Sequence, residues 1–169
     1  MNNKNIRPAQ AQDVNALVGL INTAYRSDLG WTHEQKIVAG ERINQAQLQA
    51  MLENEHIQLY ILEIDQQCIG CIALTFTNDN AEIGSFAVDP HLQNSGYGKV
   101  LLQYAEQVTQ QYPEIHTLTM SVLSIRHELI EYYERRGYLK TGRCFAYPID
   151  ADVGTPLCTL ELIELNKSI

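Results

Sequence analysis

Positive charge is scarce in this chain. Its 169 residues carry 12 Lys and Arg against 20 Asp and Glu, a net charge of −8 with histidine neutral. A general nucleic-acid binder neutralises phosphates with a basic surface, so nucleic acid is not an expected partner. Long apolar runs are missing as well, and none approaches the length of a membrane span. The first residues, Met1-Asn2-Asn3-Lys4-Asn5, are polar and lack the apolar region of a signal peptide, so a cytoplasmic protein is the expectation. Cysteine is limited to Cys68, Cys71, Cys144 and Cys158. Cys68 and Cys71 have C-x-x-C spacing, but no second such pair completes a zinc site, and the histidines show no ligand spacing; no metal is expected. In a strand, an offset of three sets the two thiols on opposite faces as ordinary core residues. Repeats and low-complexity stretches are absent too.

What is present suits one domain spanning residues 1–169, with 45% hydrophobic residues to build its core. Ile6–Ala9 reads as a first strand. Asp13 can cap a helix to about Tyr25, with Val14, Leu17, Val18, Ile21 and Ala24 on one face. Gly30-Trp31-Thr32 reads as a loop. Asn44 can cap a second helix that buries Leu48, Met51 and Leu52. Segments 58–64, 68–77 and 81–88 are strands separated by Asp65-Gln66-Gln67 and Asn78-Asp79-Asn80, which predicts an antiparallel meander. A long helix follows from Val100 to Tyr112, before Pro113. Segment 115–123 is a strand, and the strand-helix-strand order implies a parallel neighbour with a right-handed crossover. A helix over 126–136 stops at Gly137. Segments 138–147 and 158–165 complete about seven strands in a mixed sheet with helices on both faces, an α/β (α+β) fold.

The stretch Gln93-Asn94-Ser95-Gly96-Tyr97-Gly98-Lys99 joins a strand ending at Val88-Asp89-Pro90 to the long helix. A helix start leaves backbone N–H groups unpaired, its dipole favours negative charge, and glycines let a ligand approach the backbone. This is a cradle for a phosphate-bearing ligand. A Walker-type loop needs Ser or Thr after Gly-Lys, and Val100 stands there. A dinucleotide fingerprint needs a third glycine, and Leu101 stands there. A third pattern, Q-x-x-G-x-G after a strand, remains, beside a plain strand-to-helix turn.

Downstream, Tyr133-Glu134-Arg135-x-Gly137-Tyr138 ends a short helix. Taken in order, the two motifs resemble those of the GNAT N-acetyltransferase superfamily, over roughly Ile6 to Leu165 and most strongly from Glu82 to Tyr138. The resemblance implies a mostly antiparallel mixed sheet, splayed between two adjacent strands where the pantetheine of acetyl-coenzyme A enters. It implies acetyl transfer to a primary amine of a small molecule or peptide. It also implies that the backbone of Phe86, Ala87 and Val88 meets the acetyl and pantetheine groups. Gln93, Asn94, Ser95, Gly96, Tyr97, Gly98 and Lys99 would surround the pyrophosphate. Arg126 stands where the family often has Asn and is carried as a cofactor contact or a solvated helix-start residue.

Transfer from a thioester to an amine needs a neutral amine, donors for the oxyanion, a proton for the thiolate, and two substrates held together. Glu82 is six residues before Val88, so period two sets both on one face. Glu82 is the candidate base, or else an exposed strand-end residue. Tyr133 is the candidate acid, or else a core aromatic. Tyr25, Trp31, Glu34, Arg42 and Tyr147 are candidates for the acceptor site: Glu34 for a cationic amine, Arg42 for a carboxylate. No Cys-His or Ser-His pair suggests a covalent enzyme intermediate. A non-catalytic acyl-coenzyme A sensor, and an acyltransferase with another donor or acceptor, remain as alternatives. Strand-edge pairing into a homodimer is open.

Overall fold

In the computed structural model, which describes residues 3–27 and 34–169, the alternating apolar segments form one sheet. Strand β1 (Lys4–Pro8) leads to α1 (Val14–Arg26), a short β2 (Val38–Ala39) and α2 (Gln45–Glu53). The meander β3 (Ile57–Ile64), β4 (Gln67–Phe76) and β5 (Asn80–Val88) follows. Then come α3 (Tyr97–Thr109), β6 (Thr117–Leu123), α4 (His127–Glu134), β7 (Leu139–Ala146), β8 (Thr155–Pro156) and β9 (Glu161–Ser168). The main sheet runs β1-β3-β4-β5-β6-β9-β7; every neighbour pair is antiparallel except β5 and β6. Strands β2 and β8 form a separate antiparallel pair.

Helices cover both faces. Leu101, Leu102 and Ala105 of α3 and Ile130 and Tyr133 of α4 pack on one face, against Ile72, Leu74, Ile83, Leu118 and Met120. Leu17 and Ile21 of α1 and Leu48 of α2 pack on the other, against Leu59, Ile61, Cys71, Ala73 and Ala87. Asn44 caps α2 as expected: its side chain accepts from Gln47 N at 2.8 Å, and the Gln47 side chain accepts from Asn44 N at 2.9 Å. No helix among the described residues is long and apolar enough to cross a membrane.

Several local expectations are corrected. Asp13 does not cap α1 with its side chain; its carboxylate accepts instead from Gln10 N and from both Arg7 guanidinium nitrogens. Helix α3 starts at Tyr97, three residues before Val100, because Gly96 at φ 82 turns the chain straight into the first helical turn. It ends at Thr109, whose hydroxyl donates back to the Ala105 carbonyl. Cys68 and Cys71 lie on the same face, not on opposite ones. The register passes from Leu62↔Gly70 to Glu63↔Cys68, so Ile69 is an extra residue and the bulge inverts the parity.

A second bulge decides the site. Cys71 pairs with Ala87 and Ala73 with Gly84, so Ser85 and Phe86 together oppose Ile72. Ser85 takes φ 42, and its carbonyl accepts from the Cys71 thiol at 3.1 Å. Period two therefore breaks in β5. Phe86 and Val88 pack with Ala81 and Ile83, so Glu82 shares the face of Ala87 and is opposite to Val88, a correction to the expected common face. Beyond Glu82 the parallel ladder also stops. Only Asn80, Ala81 and Glu82 pair with β6, at Thr117, Leu118 and Thr119. The two strands then separate.

The Arg7 guanidinium, helped by Gln10 N–H, holds the Asp13 carboxyl below its usual range against the cost of burial. A lowered carboxyl contributes stability above the ordinary aspartate value and loses it as pH falls through the lowered one. Asp13→Asn should therefore flatten the acid limb of the stability profile below about pH 4, read by urea unfolding across pH.

Candidate active site

The fork between β5 and β6 opens on a cavity of about 380 Å³. Phe86, Ala87 and Val88 of β5 form one wall. Gln93, Asn94, Gly96, Tyr97, Gly98 and Lys99 form the end at α3. Ala24 and Tyr25 come from α1, and Leu129, Tyr132, Tyr133, Arg135 and Arg136 from α4.

The α3 end is open to an anion. No side chain caps the helix start, and Gly96 at its N-cap and Asn94 both take positive φ. The first amides of a 13-residue helix thus face the cavity end with the favourable end of its dipole. Gly98 sits in close approach to the cavity wall: a Cβ there would stand 3.1 Å from the Tyr132 hydroxyl and 3.6 Å from the Phe86 ring. Arg136 stacks its guanidinium 3.4 Å from the Tyr132 ring centre and donates to the Tyr132 carbonyl, while its Nε is buried without a hydrogen-bond partner.

Tyr133 sits on the opposite wall, 7% exposed. Burial, reinforced by Tyr25, Tyr132 and Tyr138, pushes its hydroxyl pKa well up, so it stays protonated. Tyr138 donates to Glu106, Tyr60 to Gln58 and Tyr25 to the Phe86 carbonyl, whereas the Tyr133 hydroxyl has no hydrogen-bond partner among the described residues.

Residues 18–138 match the model of the Acetyltransferase (GNAT) family. The chain belongs to that family. The fold is shared with GNAT enzymes at low sequence identity. The PaiA N-acetyltransferase from Thermoplasma acidophilum, solved with coenzyme A, is 17% identical with TM-score 0.77, 99% of each chain being covered. The ribosomal-protein-S18-alanine N-acetyltransferase from Escherichia coli is 18% identical with TM-score 0.72, over 99% of this chain and 94% of that one. A GNAT acetyltransferase from Elizabethkingia anophelis, solved with acetyl-CoA, is 18% identical with TM-score 0.67, over 99% of both chains. No curated protein matches the chain significantly.

Most residues expected at the donor side of this GNAT chain line the cavity. Ser95 and Arg126 do not. Ser95 is exposed in the turn. Arg126, half-buried at the start of α4, lies within electrostatic reach of Glu34 instead. Glu82 is also outside the lining; it is exposed at the root of the fork, where surrounding desolvation and Glu164 push its carboxyl pKa up. Leu129, Tyr132 and Arg136 were passed over, yet with Tyr133 they follow i, i+3, i+4, i+7 spacing, which is one helical face.

Of the acceptor candidates, Trp31 lies outside the described residues. Tyr25 joins the cavity, and Arg42 stacks on its ring at 5.4 Å. Glu34 and Tyr147 belong to a buried hub around Arg26. The Arg26 guanidinium pairs with Glu34, which is 8% exposed, and reaches Tyr147 Oη at 3.4 Å, Val153 O at 2.5 Å and Gly40 O at 3.2 Å. Burial pushes the Glu34 carboxyl pKa up, against Arg26, Arg126 and Arg42. Through Gly40 and Val153 this hub ties the segments that flank the β2–β8 pair. Gly154, at φ 104, is needed there because a Cβ would stand 2.8 Å from the Ala39 carbonyl.

Removing one partner of a buried ion pair leaves an uncompensated charge. Arg26→Ala should cost about 3–5 kcal/mol of unfolding free energy in denaturant titration. The Arg26→Met, Glu34→Leu double variant should recover most of that loss.

Proposed function

We propose that this GNAT chain transfers the acetyl group of acetyl-CoA to a primary amine of a small molecule or peptide, by direct attack in a ternary complex. The observation that carries the reading is Tyr133: a buried, protonated hydroxyl with no hydrogen-bond partner among the described residues, in the same cavity as an uncapped helix start. Solved relatives of the same fold hold coenzyme A or acetyl-CoA, which supports the donor.

In this reading the pyrophosphate rests on the amides of Gly96–Lys99, with the Lys99 ammonium beside it. The pantetheine runs along β5 where β6 has departed, taking the place of the missing strand. Backbone N–H groups of Phe86 and Val88, on the edge of β5 that faces away from β4, are the donors available to the developing oxyanion, and they cost no reorganisation because the strand is already fixed. The amine attacks the thioester carbonyl, the carbon–sulfur bond breaks, and Tyr133 gives its proton to the leaving thiolate. Glu82 lies four residues before Phe86, but the bulge takes up one of them, which leaves roughly 10 Å along the strand at about 3.3 Å per residue. Its raised carboxyl suits a base, and at that separation it takes the amine proton through water rather than directly.

Saturating acetyl-CoA should raise the melting temperature, and an amine panel with detection of the free thiol should show acceptor-dependent release. A shift without any acceptor-dependent thiol would leave a binding module instead of an enzyme. Tyr133→Phe should lower kcat by about 100-fold or more, with acetyl-CoA affinity changed little; an unchanged kcat would remove the acid role. Gly98→Val, whose side chain meets Tyr132 and Phe86, should instead weaken acetyl-CoA binding, measured by calorimetry.

A further inference from the structure

We propose that the amine acceptor carries a carboxylate, and that Arg42 binds this group across the Tyr25 ring. The proposal deepens the acetyl-transfer reading and rests on it.

Arg42 is held in place by its backbone, and among the described residues its guanidinium meets no carboxylate or carbonyl acceptor. The Asn22 side chain of α1 clamps this stretch of backbone: its Oδ1 accepts from Arg42 N at 2.8 Å and from Ile43 N at 3.1 Å, and its Nδ2 donates to Ile43 O at 2.8 Å. The guanidinium is then set against the Tyr25 ring, 5.4 Å from its centre. Among the described residues it makes no ion pair and no side-chain hydrogen bond; its stacking on Tyr25 is its recorded contact. A half-buried arginine with five N–H donors in a planar fork and no acceptor among the described residues is a shaped receptor for a carboxylate.

The surroundings set the sign of the ligand. Arg26, Arg42 and Arg126 all act on Glu34, and Glu34 is already engaged by Arg26. Arg42 thus lies beside a carboxylate that is paired with another guanidinium, and its planar fork suits an anion with two oxygens.

The position fits the reaction. Tyr25 is the shared wall: its hydroxyl donates to the Phe86 carbonyl at 3.1 Å, inside the donor cavity, and its ring carries Arg42. A molecule whose amine stands at Phe86 and Tyr133 meets Arg42 one aromatic ring away. That length suits an amino acid or a short peptide with an acidic group near the reacting amine.

The test uses matched sets of acceptors: amino acids, their carboxamides, and the amines left by removing the carboxyl group, assayed by thiol release with acetyl-CoA. The carboxylate-bearing member of the best set should exceed the other two in kcat/KM by about 10–100-fold, the worth of a charged hydrogen-bonded contact. Arg42→Gln should erase that preference through the acceptor KM while leaving the KM for acetyl-CoA unchanged, and Arg42→Lys should restore part of it. Equal or better turnover of the decarboxylated amines by the parent enzyme overturns the carboxylate proposal while leaving acetyl transfer intact. Thiol release with no acceptor in any set, in a protein stabilised by acetyl-CoA, overturns both, as does the absence of acetyl-CoA binding. A preference that survives in Arg42→Gln overturns the assignment to Arg42.

Discussion

The separation of β5 from β6 after Glu82 is the constraint on which the rest of this structure depends. Strand neighbours normally zip along their whole length, because an unpaired buried backbone group costs free energy. Here the ladder ends after Asn80, Ala81 and Glu82. The remainder of β5 is held by other means. The Ser85 bulge keeps β4 attached while twisting the strand, and the Tyr25 hydroxyl takes the Phe86 carbonyl. On the far side β6 is anchored by seven residue pairs to β9, so the gap cannot close by sliding β6 inward. A sheet that is complete on both flanks and open in the middle is a slot with fixed walls.

Two differently built regions adjoin that slot. The α3 end uses main chain: helix amides, two glycines and a strand edge. The hub uses side chains brought from distant segments, with Arg26 gathering Glu34, Gly40, Tyr147 and Val153. Helix α1 supplies Tyr25 to the slot and Arg26 to the hub, a role beyond filling the core. Its residues Asn22, Tyr25 and Arg26 follow one another within about a turn and govern, respectively, the Arg42 backbone, the Phe86 carbonyl and the ion-pair hub.

The contrast in construction explains how much could be read from the sequence. The α3 end of the cavity is contiguous: a strand, a glycine turn and a helix start occupy residues 86–99, and spacing alone locates them. The family resemblance and the order of elements followed from that run and the Tyr133–Tyr138 stretch. The two bulges were not legible. Nothing in Gly84-Ser85-Phe86 or Cys68-Ile69-Gly70 marks an extra residue, since strand parity is set by the partner's register. One unread bulge therefore misplaced Glu82 relative to Val88, and the other misplaced Cys68 relative to Cys71. Arg136 was legible by helical period but was overshadowed by its neighbour Tyr133. The hub was illegible for a different reason: Arg26, Glu34 and Val153 have no fixed spacing, and only the pairing of β2 with β8 brings them together.

The Arg26 hub also shows why burying charge is tolerated here. A buried Arg–Glu pair is seldom a gain in stability over apolar packing, because desolvation of both groups offsets their attraction. An apolar hub would hold β2 against β8 at least as firmly. What it would not provide is a field. With Glu34 tied to Arg26, its carboxylate also acts on the neighbouring Arg42 and Arg126. The ion pair thus does two things that pull in the same direction. The Arg26 side of it holds the segments around β2 and β8 through directed hydrogen bonds to the Gly40 and Val153 carbonyls, and the Glu34 side moderates the repulsion among three arginines gathered in an otherwise acidic protein.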